Sequence, residues 1–445
     1  MAITLVSGGR ASRRAWRGRL APLPSGPREI RALDGLRALA ALSVVAFHVI
    51  STSQVQQVTP GLSVSVIWNF LRTGVHLFFV LSGFLLFMPY ARAILGGRPL
   101  PPARQFYRRR ALRILPAYWV CLGVLVLLAL PTYLTPSGLL NVGLHALLLH
   151  NFDPATDMGI QGVFWTMAVE AQFYVVLPLL ALLLARTTGT RGSLPRLLLG
   201  IAALALGFVV VRELEGVVAA HFAVLSGHAP GIVTLLLLAT HGAQGHYLET
   251  FAAGMFCGTL YVAYQDGRLR NLRALRRTGT ALLLGGAALW LWLAEGVARP
   301  GYHTAIPNAC YACVNPLDWT TAAGPLLIGA SYGAIVLGVL WGASSVRAVF
   351  ELAPLRFVGL ISYSLYLWHL PLIEGIVGGH ASGWAGWQRL LLGAGVVLFA
   401  ALPLAYLSYT FVERPFLARR YRAPAPVSRT EPARPDERVA PVARR

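Results

Sequence analysis

The chain has 445 residues, 56% of them hydrophobic and only 12% charged, with a mean hydropathy of +0.61. A soluble protein of this length has no use for so much apolar surface, so the composition excludes an ordinary water-soluble enzyme. The net charge of +21 raises nucleic-acid binding as an option, but all the basic residues are Arg, and where those 38 fall argues against it.

Apolar stretches of about 20 residues predict membrane spans at 36–53, 73–90, 114–134, 163–185, 197–215, 245–264, 279–297, 320–342, 355–377 and 390–412. The Arg residues cluster in the N-terminal tail and first-span entrance (up to Arg37), 91–113, 186–196, 266–277, 347–356 and the stretch after 412, which together hold 34 of the 38. The opposite loops keep only Arg72, Arg212, Arg299 and Arg389. This is the positive-inside pattern of ten spans with both termini cytoplasmic. It accounts for the basic charge with no nucleic-acid partner. The expected fold is therefore all-α: a polytopic integral-membrane helical bundle of about ten transmembrane helices, placed in the cell inner (plasma) membrane. There is no internal repeat and no hydrophilic block long enough for a second folded domain. We expect an Arg-rich cytoplasmic tail over 1–30, one membrane domain over 31–416 and a disordered Ala-, Pro- and Arg-rich tail over 417–445.

The Arg-rich N-terminus resembles a signal peptide, with Arg13-Arg14 as a superficial twin-arginine pair. The apolar run that follows contains Asp34, Arg37 and His48 and lacks a small-residue cleavage site, so it reads as a retained first span. Ionisable residues inside a membrane segment usually face a protein interior and serve function. Arg37 and His48 are eleven residues apart, which on a helix returns to within about 20° of the same direction and rises about 16 Å. The expectation is one cavity with a cation at its cytoplasmic mouth and an imidazole deeper in. A snorkelling Arg and a hydrogen-bonded buried His form the plainer alternative.

Further along, Ser82-Gly83 lacks the Gly-x-Ser-x-Gly elbow of a serine nucleophile and suits close helix packing with backbone bonding by Ser82. Arg110 and Arg113 share a helical face at the entrance of the third span, where two guanidiniums can fork onto phosphate or simply anchor the helix. Outside, 136–162 and 216–244 carry five His, with His246 just beyond; 139–150 and 231–240 are too short to span and could be re-entrant or interfacial. Glu170 lies among Phe, Trp and Val, where it needs a partner. Cys121 and Cys257 read as packing residues, and Cys310-Tyr-Ala-Cys313 could form a local disulfide. His369 falls at the depth of His48, beside Tyr363, Tyr366 and Trp368, which suit either sugar stacking or membrane packing. Glu413 reads as half of a structural ion pair. No metal site is expected.

Six ordered motifs then resemble the membrane acyltransferase 3 family: Arg31-Ala-Leu-Asp34-Gly-Leu-Arg37 with the gap to His48, Gly74-Val-His-Leu-Phe-Phe-Val-Leu-Ser82-Gly83-Phe84, Arg110-Ala-Leu-Arg113-Ile-Leu-Pro116, Phe164-Trp165-Thr166-Met-Ala-Val-Glu170, Ile361 to Pro371 around His369, and Glu413-Arg-Pro-Phe416. The resemblance covers 31–416. It implies O-acylation of an extracytoplasmic sugar, polysaccharide or glycosylated metabolite by cytoplasmic acyl-CoA, the co-substrate expected here. It makes His48 the catalytic residue, which agrees with the need for a base near operating pH. Glu170 joins it as a catalytic candidate that could orient His48, bind acceptor hydroxyls or pair structurally with an Arg, and Arg37, Arg110 and Arg113 become the donor-binding set. Asp34 could orient Arg37, and Asp34, Trp165, Tyr366 and His369 are the candidates for substrate binding. His76 stands where many relatives have an acidic residue. Some members carry a hydrolase-like domain after the last span, for which this chain is expected to end too soon. A proton-coupled transporter would also use buried Arg, His and Glu, but the lack of repeats and of paired broken helices counts against it. A non-catalytic export partner does not explain the Arg37–His48 spacing.

Overall fold

The computed structural model describes residues 30–226, 247–298 and 324–421, apart from 56, 60–61, 64–66, 68–70, 154, 190–191, 270 and 382. The helices are α1 (Arg31–Ser53), α2 (Gly74–Leu95), α3 (Ala103–Leu128), α4 (Pro136–Ala146), α5 (Trp165–Thr188), α6 (Leu194–Ser226), α7 (Leu248–Gln265), α8 (Leu272–Ala298), α9 (Gly324–Trp341), α10 (Ser344–Phe350), α11 (Ala353–Ile373) and α12 (Gly386–Ala418). A two-stranded antiparallel ribbon, β1 (Gln57–Thr59) on β2 (Leu62–Ser63), follows α1. Among the described residues, eight helices are long and apolar enough to cross a membrane: α1, α2, α3, α5, α6, α9, α11 and α12. The other two expected spans, 245–264 and 279–297, fall on α7 and α8; α7 carries Glu249, Thr250, Thr259 and Gln265, which lower its hydropathy. The tails, the 231–240 stretch and Cys310-Tyr-Ala-Cys313 lie outside the described residues.

Glycine sets the closest helix contacts, as expected where small residues let backbones approach in a membrane bundle. A Cβ on Gly83 of α2 would sit 2.1 Å from the Phe251 carbonyl of α7, and one on Gly254 of α7 would sit 2.1 Å from the Val80 carbonyl of α2. α1 and α11 meet in the same way: a Cβ on Gly359 would lie 1.9 Å from the Asp34 carbonyl. Two apolar clusters result. The larger gathers Phe79, Phe84, Phe87, Phe164, Phe173 and Phe251; the smaller joins α1, α11 and α12 through Val45, Val49, Ile361, Leu365 and Ala401. Phe78 packs against both.

Proline shapes two of the spans. α12 widens into π-helical turns at Val397–Ala401 and Tyr409–Glu413, and each holds the residue four before a proline, Pro403 and Pro415. A proline has no N–H for that carbonyl and its ring crowds it, which the wider turn relieves. In α11, Pro371 leaves the Leu367 carbonyl without its helical donor, and the Cys121 thiol takes it at 3.5 Å. α4 is too short to span. Thr135 caps it by accepting from the Gly138 N–H at 3.1 Å, and Tyr118 and Trp119 of α3 donate to the carbonyls of His145 and Ala146 at 2.9 and 3.0 Å.

Gly83→Leu should therefore separate α2 from α7 and cost at least the roughly 1–3 kcal/mol of an overpacked core. The check is the thermal midpoint and monodispersity of detergent-purified protein, with Gly123→Ala, where a Cβ meets nothing within 4 Å, remaining near wild type.

Candidate active site

A cavity of about 100 Å³ lies between α1, α2, α3, α5 and α11. Its wall includes Arg37, Phe78, Phe79, Ser82, Arg110, Arg113, Thr166, Glu170, Tyr174, Tyr363 and Tyr366. Five of the nine residues singled out in the sequence thus face one space: Arg37, Arg110, Arg113, Glu170 and Tyr366. The size suits the reacting end of a ligand, not a whole nucleotide.

Glu170 is held from two sides. Ser82 donates to its Oε1 at 3.1 Å, and Tyr174, one helical turn on, donates to its Oε2 at 2.6 Å. Arg110 and Arg37 act on it electrostatically. The hydroxyl of Ser82 is therefore bonded to a carboxylate on another helix, not to its own backbone as expected. Arg37 makes no hydrogen bond or ion pair from its guanidinium to another described residue. Arg113 differs: its Nη1 is 2.8 Å from Oε2 of Glu413, which is almost fully buried and whose Oε1 accepts from Ser364 at 2.5 Å. The expected structural ion pair of Glu413 exists, and its partner is one of the proposed phosphate ligands.

His48 does not line the cavity. The expectation that it shares one cavity wall with Arg37 is not met by the residues that line this cavity. His48 meets His369 instead, with Nδ1 of His48 3.1 Å from Nε2 of His369 and ring centroids 5.0 Å apart. Tyr366 connects the two places: its ring lines the cavity and lies 5.7 Å from that of His369. Its hydroxyl is fixed by Thr166 at 2.8 Å. Glu170 does not orient His48. Asp34 sits 3.7 Å from Arg356, and its effect on Arg37 is electrostatic only. Trp165 packs behind Phe79 against Tyr247, off the cavity wall.

The profile of a family described as an acyltransferase domain matches residues 30–410, which includes every residue of this wall. The chain belongs to that acyltransferase family. It is 24% identical over 368 residues to the peptidoglycan O-acetyltransferase OatA of Listeria monocytogenes, covering 77% of this chain and 49% of that protein. It is 24% identical over 426 residues to the O-acetyltransferase OatA of Staphylococcus aureus, covering 89% of this chain and 58% of that protein. The chain thus spans about half the length of these curated relatives. No solved structure matches it.

In this member of the family, several wall residues escaped the sequence reading. Tyr174 lies at the i+4 position from Glu170, a spacing that places both on one face and could have found it. Phe78, Phe79 and Met167 gave no signal, because an aromatic or Met in a membrane helix reads as packing. His76 lies 5.5 Å from the ring of Tyr247, away from the cavity, and its Nδ1 is buried without a hydrogen bond.

Outside the spans, His145 at the end of α4 and His150 stack with centroids 4.0 Å apart and planes 8° apart, both fully buried. Burial pushes His145 down to about 4 and His150 to about 3, the latter helped by its neighbour's charge. The unfolded chain takes up these protons near pH 6.5, so below that value it holds more protons than the native state and stability falls with pH. The thermal midpoint should drop steadily from pH 6.5 toward pH 4, and the double variant His145→Phe, His150→Phe should flatten that slope. An unchanged slope would remove the stack as the titrating unit.

Proposed function

We propose that this protein is a multi-pass O-acyltransferase of the inner (plasma) membrane. It transfers an acetyl or other short acyl group from cytoplasmic acyl-CoA to a hydroxyl of a sugar, polysaccharide or glycosylated metabolite on the far side. The supporting observation is that Arg37, Arg110 and Glu170 face one cavity whose Tyr366 wall backs directly onto the His369–His48 pair. The Arg distribution supports ten crossings with both termini cytoplasmic, so the donor enters from the Arg-rich face. Peptidoglycan, the acceptor in the name of the Listeria relative, belongs to the acceptor class we assign.

In this reading the guanidiniums of Arg37 and Arg110 hold the anionic end of the donor, with Arg113 lending charge to the rim while it stays tied to Glu413. Glu170, fixed by Ser82 and Tyr174, steers those guanidiniums and serves the donor side more than His48. His48 takes the proton of the acceptor hydroxyl as the new C–O bond forms. The C–S bond of the thioester breaks, and the departing thiolate recovers the proton from His48. Direct attack by the acceptor suffices, with no acyl-His intermediate. Tyr366, Trp165 and His369 lie on the side of the histidines, where the acceptor arrives.

Two measurements on reconstituted protein test this. His48→Ala should keep insertion and acyl-CoA binding while acceptor-dependent thiol release falls by roughly 10²–10⁴, the loss expected for a general base. Wild-type turnover in that variant would remove His48 from the mechanism, and absence of any thioester cleavage by folded wild-type protein with sugar acceptors would favour a transporter.

Arg37→Gln and Arg110→Gln should each raise the KM for acyl-CoA and make it less sensitive to salt, because phosphate attraction is screened by ions. A change confined to the acceptor KM would reassign both residues.

A further inference from the structure

The hydrogen bonds around the two histidines fix which nitrogen carries each proton. Nδ1 of His369 faces two backbone carbonyls of its own helix, Tyr366 at 2.8 Å and Leu365 at 3.1 Å. A carbonyl only accepts, so this nitrogen carries the hydrogen, and Nε2 of neutral His369 presents a lone pair. The atom opposite that lone pair is Nδ1 of His48, 3.1 Å away, which also lies 2.8 Å from the Val44 carbonyl. Both neighbours of Nδ1 are acceptors, so it donates to both in a shared hydrogen bond. The hydrogen of His48 is on Nδ1, and its Nε2 is left bare as the basic nitrogen.

We propose that His369 is the positioning residue of this enzyme, accepting the Nδ1–H of His48 so that His48 works through Nε2. The proposal rests on His48 acting as the base. When Nε2 takes the hydroxyl proton, His48 becomes an imidazolium, and its Nδ1–H then points at the lone pair of His369 and at the Val44 carbonyl. No proton need pass to His369. Its part is to receive the hydrogen bond that strengthens as the positive charge appears, the service a carboxylate gives a histidine in the serine hydrolases. A neutral imidazole does this where a buried carboxylate would be costly to hold without water. His369 is fully buried and its ring is set by the two carbonyls, so the acceptor is fixed in place before substrate arrives.

The test pairs a spectroscopic with a kinetic measurement on the full chain in nanodiscs. With 15N-labelled histidine, the structure requires hydrogen on Nδ1 of both rings, none on Nε2 of either, and a scalar coupling between His48 Nδ1 and His369 Nε2. A hydrogen on Nε2 of His369 overturns the proposal. In kinetics, His369→Gln, whose amide oxygen can accept the same bond, should stay within about tenfold of wild type. His369→Met, similar in bulk but without that acceptor, should lose kcat by roughly 10–100-fold, the range for residues that orient a functional His, with the KM for acyl-CoA unchanged. Equal turnover by folded Gln and Met variants defeats the positioning role while His48→Ala remains inactive. An active His48→Ala protein defeats the underlying base assignment instead.

Discussion

A charge kept from water inside a helical membrane bundle must meet an opposite charge, a hydrogen bond or a ligand, and the arrangement of this protein follows from how each buried charge meets that demand. Glu413 meets Arg113, Glu249 meets Arg212 at 2.6 Å, and Glu170 is held by two hydroxyls. The exception among the cavity residues is Arg37, whose guanidinium makes no hydrogen bond to another described residue. The two carboxylate–guanidinium pairs tie α3 to the distant α12 and α6 to its neighbour α7. Breaking such a pair from one side leaves a bare buried charge, the costliest way to alter it.

The chemistry is divided between two places. Charge collects around the cavity, while the imidazoles sit beyond Tyr366 in mostly apolar surroundings. Under the proposed function, an anionic donor stops at the cavity and a hydroxyl is activated beyond it. The aromatic partition is made by α11, whose Tyr363 and Tyr366 line the cavity and whose His369 does not.

Much of this was legible in the sequence. The apolar runs gave each of the eight described helices that are long and apolar enough to cross a membrane, since hydrophobic length is the strongest signal a chain carries. The depth count placed His369 level with His48, which is where the two rings meet across 321 residues of separation. Pairings of side chains on distant helices were not legible. That Glu413 would take Arg113 depends on a π-helical turn in α12, and a local pattern does not encode which way an inserted residue turns the helix. The eleven-residue spacing gives Arg37 and His48 one direction on α1, but direction says nothing about whether a cavity extends the full distance along the axis. α7 and α8 are helices where the sequence placed its sixth and seventh apolar runs.

The touching backbones of α1 and α11 at Gly359 bear on timing. Asp34 and His48 ascend α1 as Gly359 and His369 ascend α11, so the two helices run in the same direction and meet at both levels. A contact in which even a methyl group would clash leaves no slack for one helix to slide on the other. The separation of the imidazoles is then a property of the main chain, not of side-chain rotamers. The arranging is done during folding, so under the proposed mechanism the pair is pre-organised before each turnover.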